Sequence, residues 1–506
     1  MIKIIKKSKF LYLFAILAFS FTYTSNTLQA QSSNDKSKKE IKYKKARALQ
    51  SKTAKKMAKV YEALEEVDEM GEPAPDMETA VSILTELKSN FGNMKSYDRS
   101  VVWNALGYAY YATADIKDPS DSNKKDERTE EEKQSELKIS YAPAINAYRQ
   151  VLAEPESTIP IRTAALYTLA QLSLVTGDFE KGIETLLQWM DEVETVTAQA
   201  WGLLGTAYYQ VGDYKKVISS NEKAIQLAEE EGYKPKENWY NMLAAAIGEL
   251  KKDFGEKNAL LRQLEIYEIL VNLYPKKIYF IQLGGTYGQL GREKDYMITM
   301  KAAHAKDFLN KESEYLALTQ LLLLNQNPYW AAQVLVSGQN KIITYTETVL
   351  DKNTGKEVKV EKTGPVVKDN EKNLKLLADS WRMAQEVDKA IPVLEKAAVL
   401  SKDGKAYVLL GNLYLGEDRM QEAVDAIKKG LKKGKIEKLS QVHLTLGQAY
   451  FELQKFEEAK KEFRIAARDK DKKVKTTANS WIKYTENEEI RVKSLALRRD
   501  YIQSQS

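Results

Sequence analysis

One spacing constrains this chain more than anything else in it. Trp201, Leu204, Gly205 and Tyr208 are followed by Gly212-Asp213-Tyr214, and the same order of large, aliphatic, small and aromatic residues recurs along most of the sequence. Clear copies begin at Trp103 (Leu106, Gly107, Tyr110-Tyr111), Leu166 (Leu169, Ala170, then Gly177-Asp178-Phe179) and Phe280 (Leu283, Gly284, Tyr287, then Gly291). Two more begin at Tyr407 (Leu410, Gly411, Tyr414, then Asp418) and His443 (Leu446, Gly447, Tyr450, then Phe456). Weaker copies centre on Trp239 and Met242, on Leu316 and Leu323 before Asn327-Pro328-Tyr329, and on Leu374, Leu377, Ala378 and Trp381. Apolar residues at helical spacing, broken by a turn and repeated, require stacked helix hairpins, because one hairpin cannot bury its own apolar face.

The unit resembles the tetratricopeptide (TPR) repeat, whose signature is W-x2-L-G-x2-Y, a turn and a second helix. The expected fold is all-α: an α-solenoid of about nine stacked TPR hairpins with a small β-hairpin insertion. Gly107, Ala170, Gly205, Gly284, Ala378, Gly411 and Gly447 leave room for the second helix to approach closely. That contact has to offset glycine's helix penalty of about 1 kcal/mol. The large residues Trp103, Trp201, Trp239, Phe280 and Tyr407 read as core, filling the space between a repeat and its predecessor. The second helices carry small residues where they cross the first, namely Gly182, Ala332, Ala390, Ala423 and Ala459, with Val217 and Tyr296 as departures.

The start of the chain reads as a secretory signal over residues 1–30. Lys3, Lys6, Lys7 and Lys9 precede an apolar run from Phe10 to Phe21, and Leu28-Gln29-Ala30 is a cleavage site. The run is too short to span a bilayer, which takes roughly 20 residues, so no transmembrane segment is expected after cleavage at Ala30. Cysteine is absent, which excludes a lipid attachment point, disulfides, thiol catalysis and cysteine-held metals. A periplasmic address follows as the expectation. Loss of the leader's four lysines and no acid lowers the net charge from +6 to +2, and neither the address nor that charge suits a nucleic-acid partner.

Residues 31–95 read as a basic amphipathic helix through Ala46, Leu49, Thr53, Met57, Val60, Leu64 and Val67, followed by capping helices. Its lysines either lie in solvent or meet an anionic lipid or protein surface. The first array is expected over 96–339, broken by a charged stretch at 115–140 that reads as a disordered loop. At 340–370 the period changes to alternation, with Tyr345, Val349, Val358 and Val360 around Asp351-Lys352-Asn353-Thr354-Gly355 predicting a β-hairpin. Such a hairpin either decorates a loop or adds a strand to a partner's sheet. A second array follows over 371–475, then a capping helix and tail over 476–506.

Nothing in the sequence supports catalysis, a cofactor or a metal site. The two histidines, His304 and His443, lack ligand spacing, and no phosphate loop, H-E-x-x-H or G-x-S-x-G occurs. Binding is the expected activity. The groove of such an array is lined by the second, fifth, ninth and twelfth positions of each first helix, which here hold Asn104, Tyr108, Tyr111, Tyr167, Gln171, Thr206, Tyr209 and Tyr240. Tyrosine with amide residues suits a protein or an extended peptide. Further along stand Lys375, Asp379, Arg382, Asn412, Gln448 and Phe451. TPR domains that clamp a carboxylate tail pair lysine at the fifth position with asparagine at the ninth. Lys375 is followed by Asp379, which argues against a clamp.

Beyond the repeat, Ser96-Tyr97-Asp98-Arg99, the K-E-N-W-Y-N-M-L around Trp239, the L-Y-P-K-K-I-Y-F-I-Q-L-G-G-T-Y around Pro275 and the N-L-K-L-L-A-D-S-W from Asn373 resemble secreted bacterial TPR proteins encoded beside TonB, ExbB and ExbD. The resemblance covers about Ile41 to Tyr484. It implies an accessory of TonB-dependent energy transduction, with TonB or ExbD periplasmic domains as partners. A cell-envelope assembly or polysaccharide-export factor is the alternative.

Overall fold

Each hairpin is made by the same local events: a capped helix, a left-handed turn residue and a second helix. The computed structural model describes residues 47–68, 72–114, 128–350 and 357–505. The expected signal and the basic residues up to 46 lie outside the described residues. The chain divides into two compact units that part between Ile266 and Tyr267.

In the first unit, α1 (Ser51–Leu64) and α2 (Met77–Ser89) precede the pairs α3 (Ser96–Ala112) with α4 (Glu130–Ala153), α5 (Ile159–Val175) with α6 (Phe179–Glu192), and α7 (Ala198–Gln210) with α8 (Tyr214–Glu230). Then come α9 (Glu237–Glu249), the single turn α10 (Lys251–Phe254) and α11 (Glu256–Leu273), within which the units part. The second unit pairs α12 (Lys277–Gln289) with α13 (Glu293–Ala305) and α14 (Glu312–Leu324) with α15 (Pro328–Asn340). After β1 (Ile342–Leu350) and β2 (Glu357–Pro365) follow α16 (Glu371–Met383) with α17 (Val387–Leu400), α18 (Lys405–Gly416) with α19 (Met420–Lys433), α20 (Leu439–Glu452) with α21 (Phe456–Ala466), and finally α22 (Lys472–Gln505). These are the helices of the all-α repeat array that the spacing predicts, with a small β-hairpin.

The turns share one geometry. Gly177, Gly212 and Gly291 have φ of 81°, 75° and 70°, and at the equivalent place Gln326, Gln385, Asp418 and Gln454 are held at 57°, 60°, 56° and 57°. The amide after each closes back on the carbonyl five residues earlier: Asp178 on Ser173 at 2.8 Å, Asp213 on Tyr208 at 3.0 Å, Glu386 on Trp381 at 2.9 Å. This is the Schellman closure, which satisfies carbonyls that a helix end leaves open. Asp213, Thr197 and Asn370 accept amide hydrogen bonds at the starts of α8, α7 and α16.

Close approach at the small positions is met by a large side chain of the second helix. A Cβ added at Gly107, Gly411 or Gly447 would lie 2.8, 2.4 or 2.5 Å from Tyr148, Ile427 or Phe463. At Gly205 the neighbour is Asn221, fully buried, whose Nδ2 donates to Val217 O at 2.9 Å while its Oδ1 lacks a partner. Gly284 and Gly288 both face the ring of Tyr296, so the bulk of that departure is absorbed by two glycines. Ala331, beside the expected Ala332, occupies the crossing place five residues after the turn residue, and both are fully buried. Between repeats the aromatics behave as read: Trp239, 4% exposed, lies against Gly202 of the preceding first helix, with Trp201 half-buried in the same cluster. Neighbouring elements are also tied by polar contacts. Tyr287 and Tyr414 donate to Glu268 and Glu395 at 2.5 Å, with Arg292 and Arg419 4.7 and 4.5 Å above their rings. Burial first, then the carboxylate bond, pushes both phenols up to about 12.

The sheet is rooted in the second unit. β1 and β2 pair from Ile342 with Pro365 to Leu350 with Glu357. Ile343 packs on the core, Lys368 lies 4.9 Å over Tyr345, and Val367 is buried with its amide on Gly338 O at 3.0 Å. The expectation of a disordered loop over 115–140 needs correction. Residues 115–127 lie outside the described residues, but α4 begins at Glu130. Thr129 and Glu132 form a reciprocal capping box, the amide of Thr129 reaching Glu132 at 2.7 Å and that of Glu132 reaching Thr129 Oγ1 at 3.2 Å. Over the expected C-terminal cap, α22 stacks Trp481 on Phe463 at 5.5 Å. Lys460 is buried there between Glu457 and Glu489, at 2.6 and 2.8 Å, and its bond with that of Lys493 draws the Glu489 carboxyl down to about 2.

Candidate protein-binding surface

The eight predicted groove residues sit on α3, α5 and α7, the first helices of three successive hairpins in the first unit, and on α9, which follows them. The structure separates them into two kinds. Asn104, Tyr111, Tyr167, Gln171, Thr206 and Tyr209 are half-exposed. Tyr108 and Tyr240 are 7% and 2% exposed and serve packing, so they cannot line an accessible surface. Tyr108 belongs to the cluster around Tyr141 and Tyr148, and burial pushes its phenol up. Tyr240 is covered by α8, its hydroxyl 3.4 Å from the Glu229 carboxylate.

Each exposed tyrosine is braced by an aromatic of a second helix. Tyr111 stacks on Tyr141 with centroids 5.5 Å apart, Tyr167 leans on Trp189 at 4.8 Å, and Tyr209 meets Tyr214 edge-on at 5.7 Å. Such rings present a flat apolar face with a hydroxyl at its rim and lose little freedom when covered. Burial, then proximity to Tyr108, raises the Tyr111 phenol, so it stays a neutral donor at physiological pH. Thr206 differs, for its Oγ1 donates to Gly202 O at 2.9 Å and lies 3.6 Å from Met242 Sδ. The spacing of first helices missed Tyr141, Trp189 and Tyr214. Tyr214 could have been found, because it directly follows Gly212-Asp213, as Phe179 follows Gly177-Asp178.

The corresponding face of the second unit is charged but locally neutralised. Lys375 pairs with Glu371 at 2.6 Å and Arg382 with Asp379 at 3.4 Å. Asn412 is exposed, Gln448 half-exposed, and Phe451 sits among Phe456, Trp481 and Tyr484 at 5.8, 5.5 and 5.3 Å. His304 Nε2 lies 2.7 Å from Ser337 Oγ, and burial, then Lys341, holds its imidazole below the usual range. His443 takes the packing place of an aromatic, its Nδ1 2.6 Å from Glu462. Among the described residues no group of three or more His, Cys, Asp or Glu converges where it could hold a metal ion, and no helix is long and apolar enough to cross a membrane.

The tetratricopeptide repeat family model matches residues 198–231, 404–432 and 440–467. No curated protein sequence matches the chain. Among solved structures, the chain is similar to MamA (18% identity, 38% of this chain and 94% of that one, TM-score 0.27). It is also similar to the TPR2AB domain of yeast Sti1 in a complex with pHSP90 (12%, 57% and 98%, 0.27) and to YrrB, described as a TPR protein with an unusual peptide-binding site (13%, 42% and 91%, 0.27). The matched stretches are the hairpins α7–α8, α18–α19 and α20–α21, where Gly205, Gly411 and Gly447 receive Asn221, Ile427 and Phe463, so the chain carries tetratricopeptide repeats.

Proposed function

We propose that the protein is a docking scaffold whose first-helix face in the first unit holds an extended peptide or a protein surface. The observation that carries this reading is the row of braced, half-exposed tyrosines, Tyr111, Tyr167 and Tyr209, interleaved with Asn104 and Gln171. Rings fixed before binding have little ordering cost left, and amides beside them can hydrogen-bond a backbone without selecting its charge. The work done is positioning, with no bond made or broken. The resemblance at Trp239, Pro275 and Asn373 supports a finer reading: a periplasmic accessory of TonB-dependent transport that holds TonB or ExbD periplasmic domains.

A photoreactive amino acid placed at Gln171 or Tyr209, with exposed Ser219 on α8 as control, tests both levels in intact cells. Adducts at the two groove sites and none at Ser219 are expected, with TonB or ExbD identified by mass spectrometry. Adducts to cell-envelope assembly or polysaccharide-export components would replace the finer reading, and adducts no stronger than at Ser219 would remove the surface itself.

A further inference from the structure

The second helices offer another surface. Counted from the left-handed turn residue, their third and fourth positions hold Glu180-Lys181, Lys215-Lys216, Lys294-Asp295, Asp388-Lys389, Gln421-Glu422 and Glu457-Glu458. These are solvated positions, and every one of those pairs is polar or charged. In α15 the same two positions are Tyr329 and Trp330, which remain 41% and 55% exposed. Lysines from both neighbouring second helices reach this pair. Lys301 of α13 lies 5.3 Å over Trp330, and Lys389 of α17 lies 5.4 Å from Tyr329 and 4.8 Å from Trp381, on which Tyr329 rests edge-on at 5.6 Å. Exposed Ile298 stands one helical turn before Lys301.

We propose that Trp330, Tyr329, Lys301 and Lys389 form a second docking site, which takes a partner protein's peptide segment carrying an apolar side chain flanked by carboxylates. Large exposed aromatics in contact with cations are the side chains that anchor protein interfaces. Here Lys301 selects the partner's charge, because it has no carboxylate partner among the described residues, whereas Lys389, over Tyr329, is already paired with Glu386. Glu386, 2.9 Å from Lys389, and exposed Asp388 stand on the same turn, so a peptide with separate carboxylates can set one at Lys301 and keep the rest clear of them, which a continuous sheet of lipid phosphates cannot.

The test is fluorescence anisotropy of a labelled hexapeptide, Glu-Glu-Leu-Phe-Glu-Glu, titrated with the full chain. Saturable binding that weakens with salt is expected, with the Kd raised about tenfold or more by Trp330→Ser and by Lys301→Glu, as for loss of an interface anchor. Ser219→Ala, an exposed position assigned to neither surface, should leave that Kd within about twofold. Both substituted side chains are exposed, so unchanged circular dichroism and melting confirm that folding is intact. Absence of saturable binding, equal binding by the Trp330→Ser protein, or equal binding of a peptide with lysine for glutamate would overturn the proposal. So would Trp330-dependent self-association in sedimentation, or Trp330-dependent cosedimentation with phosphatidylglycerol vesicles, each of which assigns the patch to a different occupant.

Discussion

Gln326, Gln385, Asp418 and Gln454 are held in the left-handed region at φ of 56–60° and their side chains are exposed, so replacing each with glycine removes backbone strain without removing packing. An L-residue in this conformation costs about 1–2 kcal/mol, and glycine's extra freedom in the unfolded chain returns about 0.5–1 kcal/mol of that gain. The remainder is about 0.5–1 kcal/mol per turn. The four turns belong to separate hairpins, so their effects should add to about 2–4 kcal/mol. Urea unfolding followed by helical circular dichroism should show a higher midpoint at unchanged slope for the quadruple variant. Gly291→Gln, at the same place in α12–α13, should move the midpoint the other way by about 0.5–1 kcal/mol. A quadruple variant that unfolds at the wild-type midpoint or below it would refute the view that these residues sit in the turn against their own preference.

Three further outcomes follow from the packing. Tyr240→Ala should destabilise the first unit by about 3–5 kcal/mol, the range for emptying an aromatic core site, whereas Tyr209→Ala should cost under about 1 kcal/mol; equal melting points for the two would return Tyr240 to the surface. Gly447→Ala gains about 1 kcal/mol of helix propensity but drives a methyl to 2.5 Å from Phe463, for a net loss of about 1–2 kcal/mol that Phe463→Leu should relieve; denaturant midpoints of the single and double variants decide it. His304, whose imidazole is held low by burial and then by Lys341, stays neutral in the fold to lower pH than in the unfolded chain, which takes a proton as pH falls below the usual 6.5. Stability is therefore complete above that pH and declines below it; His304→Gln should flatten the decline between 6.5 and the carboxylate range, and a variant that declines like wild type would show that His304 carries none of it.

The repeat was legible because its small and turning positions admit few alternatives. Gly205, Gly411 and Gly447 are small because Asn221, Ile427 and Phe463 press on them, and a sequence shows that necessity as a recurrent glycine at fixed distance from an aromatic. Depth of burial is a different property. The positions of Tyr108 and Tyr240 in an ideal repeat point toward the groove, but here Tyr148 and its neighbours enclose Tyr108, and α8, ending at Glu230 near the Glu229 that faces the phenol, covers Tyr240. The part of the insertion from Thr129 onward departs from the disordered reading for a related reason. Its composition is that of a solvated chain, but Thr129-Glu130-Glu131-Glu132 is also a helix start, and the reciprocal bonds of Thr129 and Glu132 outweigh the lack of apolar residues in the first turns of α4.

The two proposed surfaces follow from the same asymmetry. Positions that pack are tied to their neighbours through contacts of a few ångströms, so a repeat can abandon its pattern cheaply only where nothing presses on it. Tyr329 and Trp330 occupy positions that hold polar or charged residues in the other hairpins, and both rings stay partly exposed, Tyr329 resting on Trp381 and Trp330 under Lys301. Tyr111, Tyr167 and Tyr209 also stand half in solvent, each backed by a second ring as Tyr329 is by Trp381, but they recur along successive first helices, which makes that row a preformed face and the Trp330 pair a departure in a single hairpin. A single ligand covering the first-helix row should therefore lose affinity gradually as its braces are removed one by one, for example by Trp189→Leu behind Tyr167, whereas binding at Trp330 should be lost in one step. Titrations of the cognate peptides against Trp189→Leu and Trp330→Ser decide it, and complete loss of groove binding at Trp189→Leu alone would refute the idea that bracing, rather than a single anchor, makes the groove.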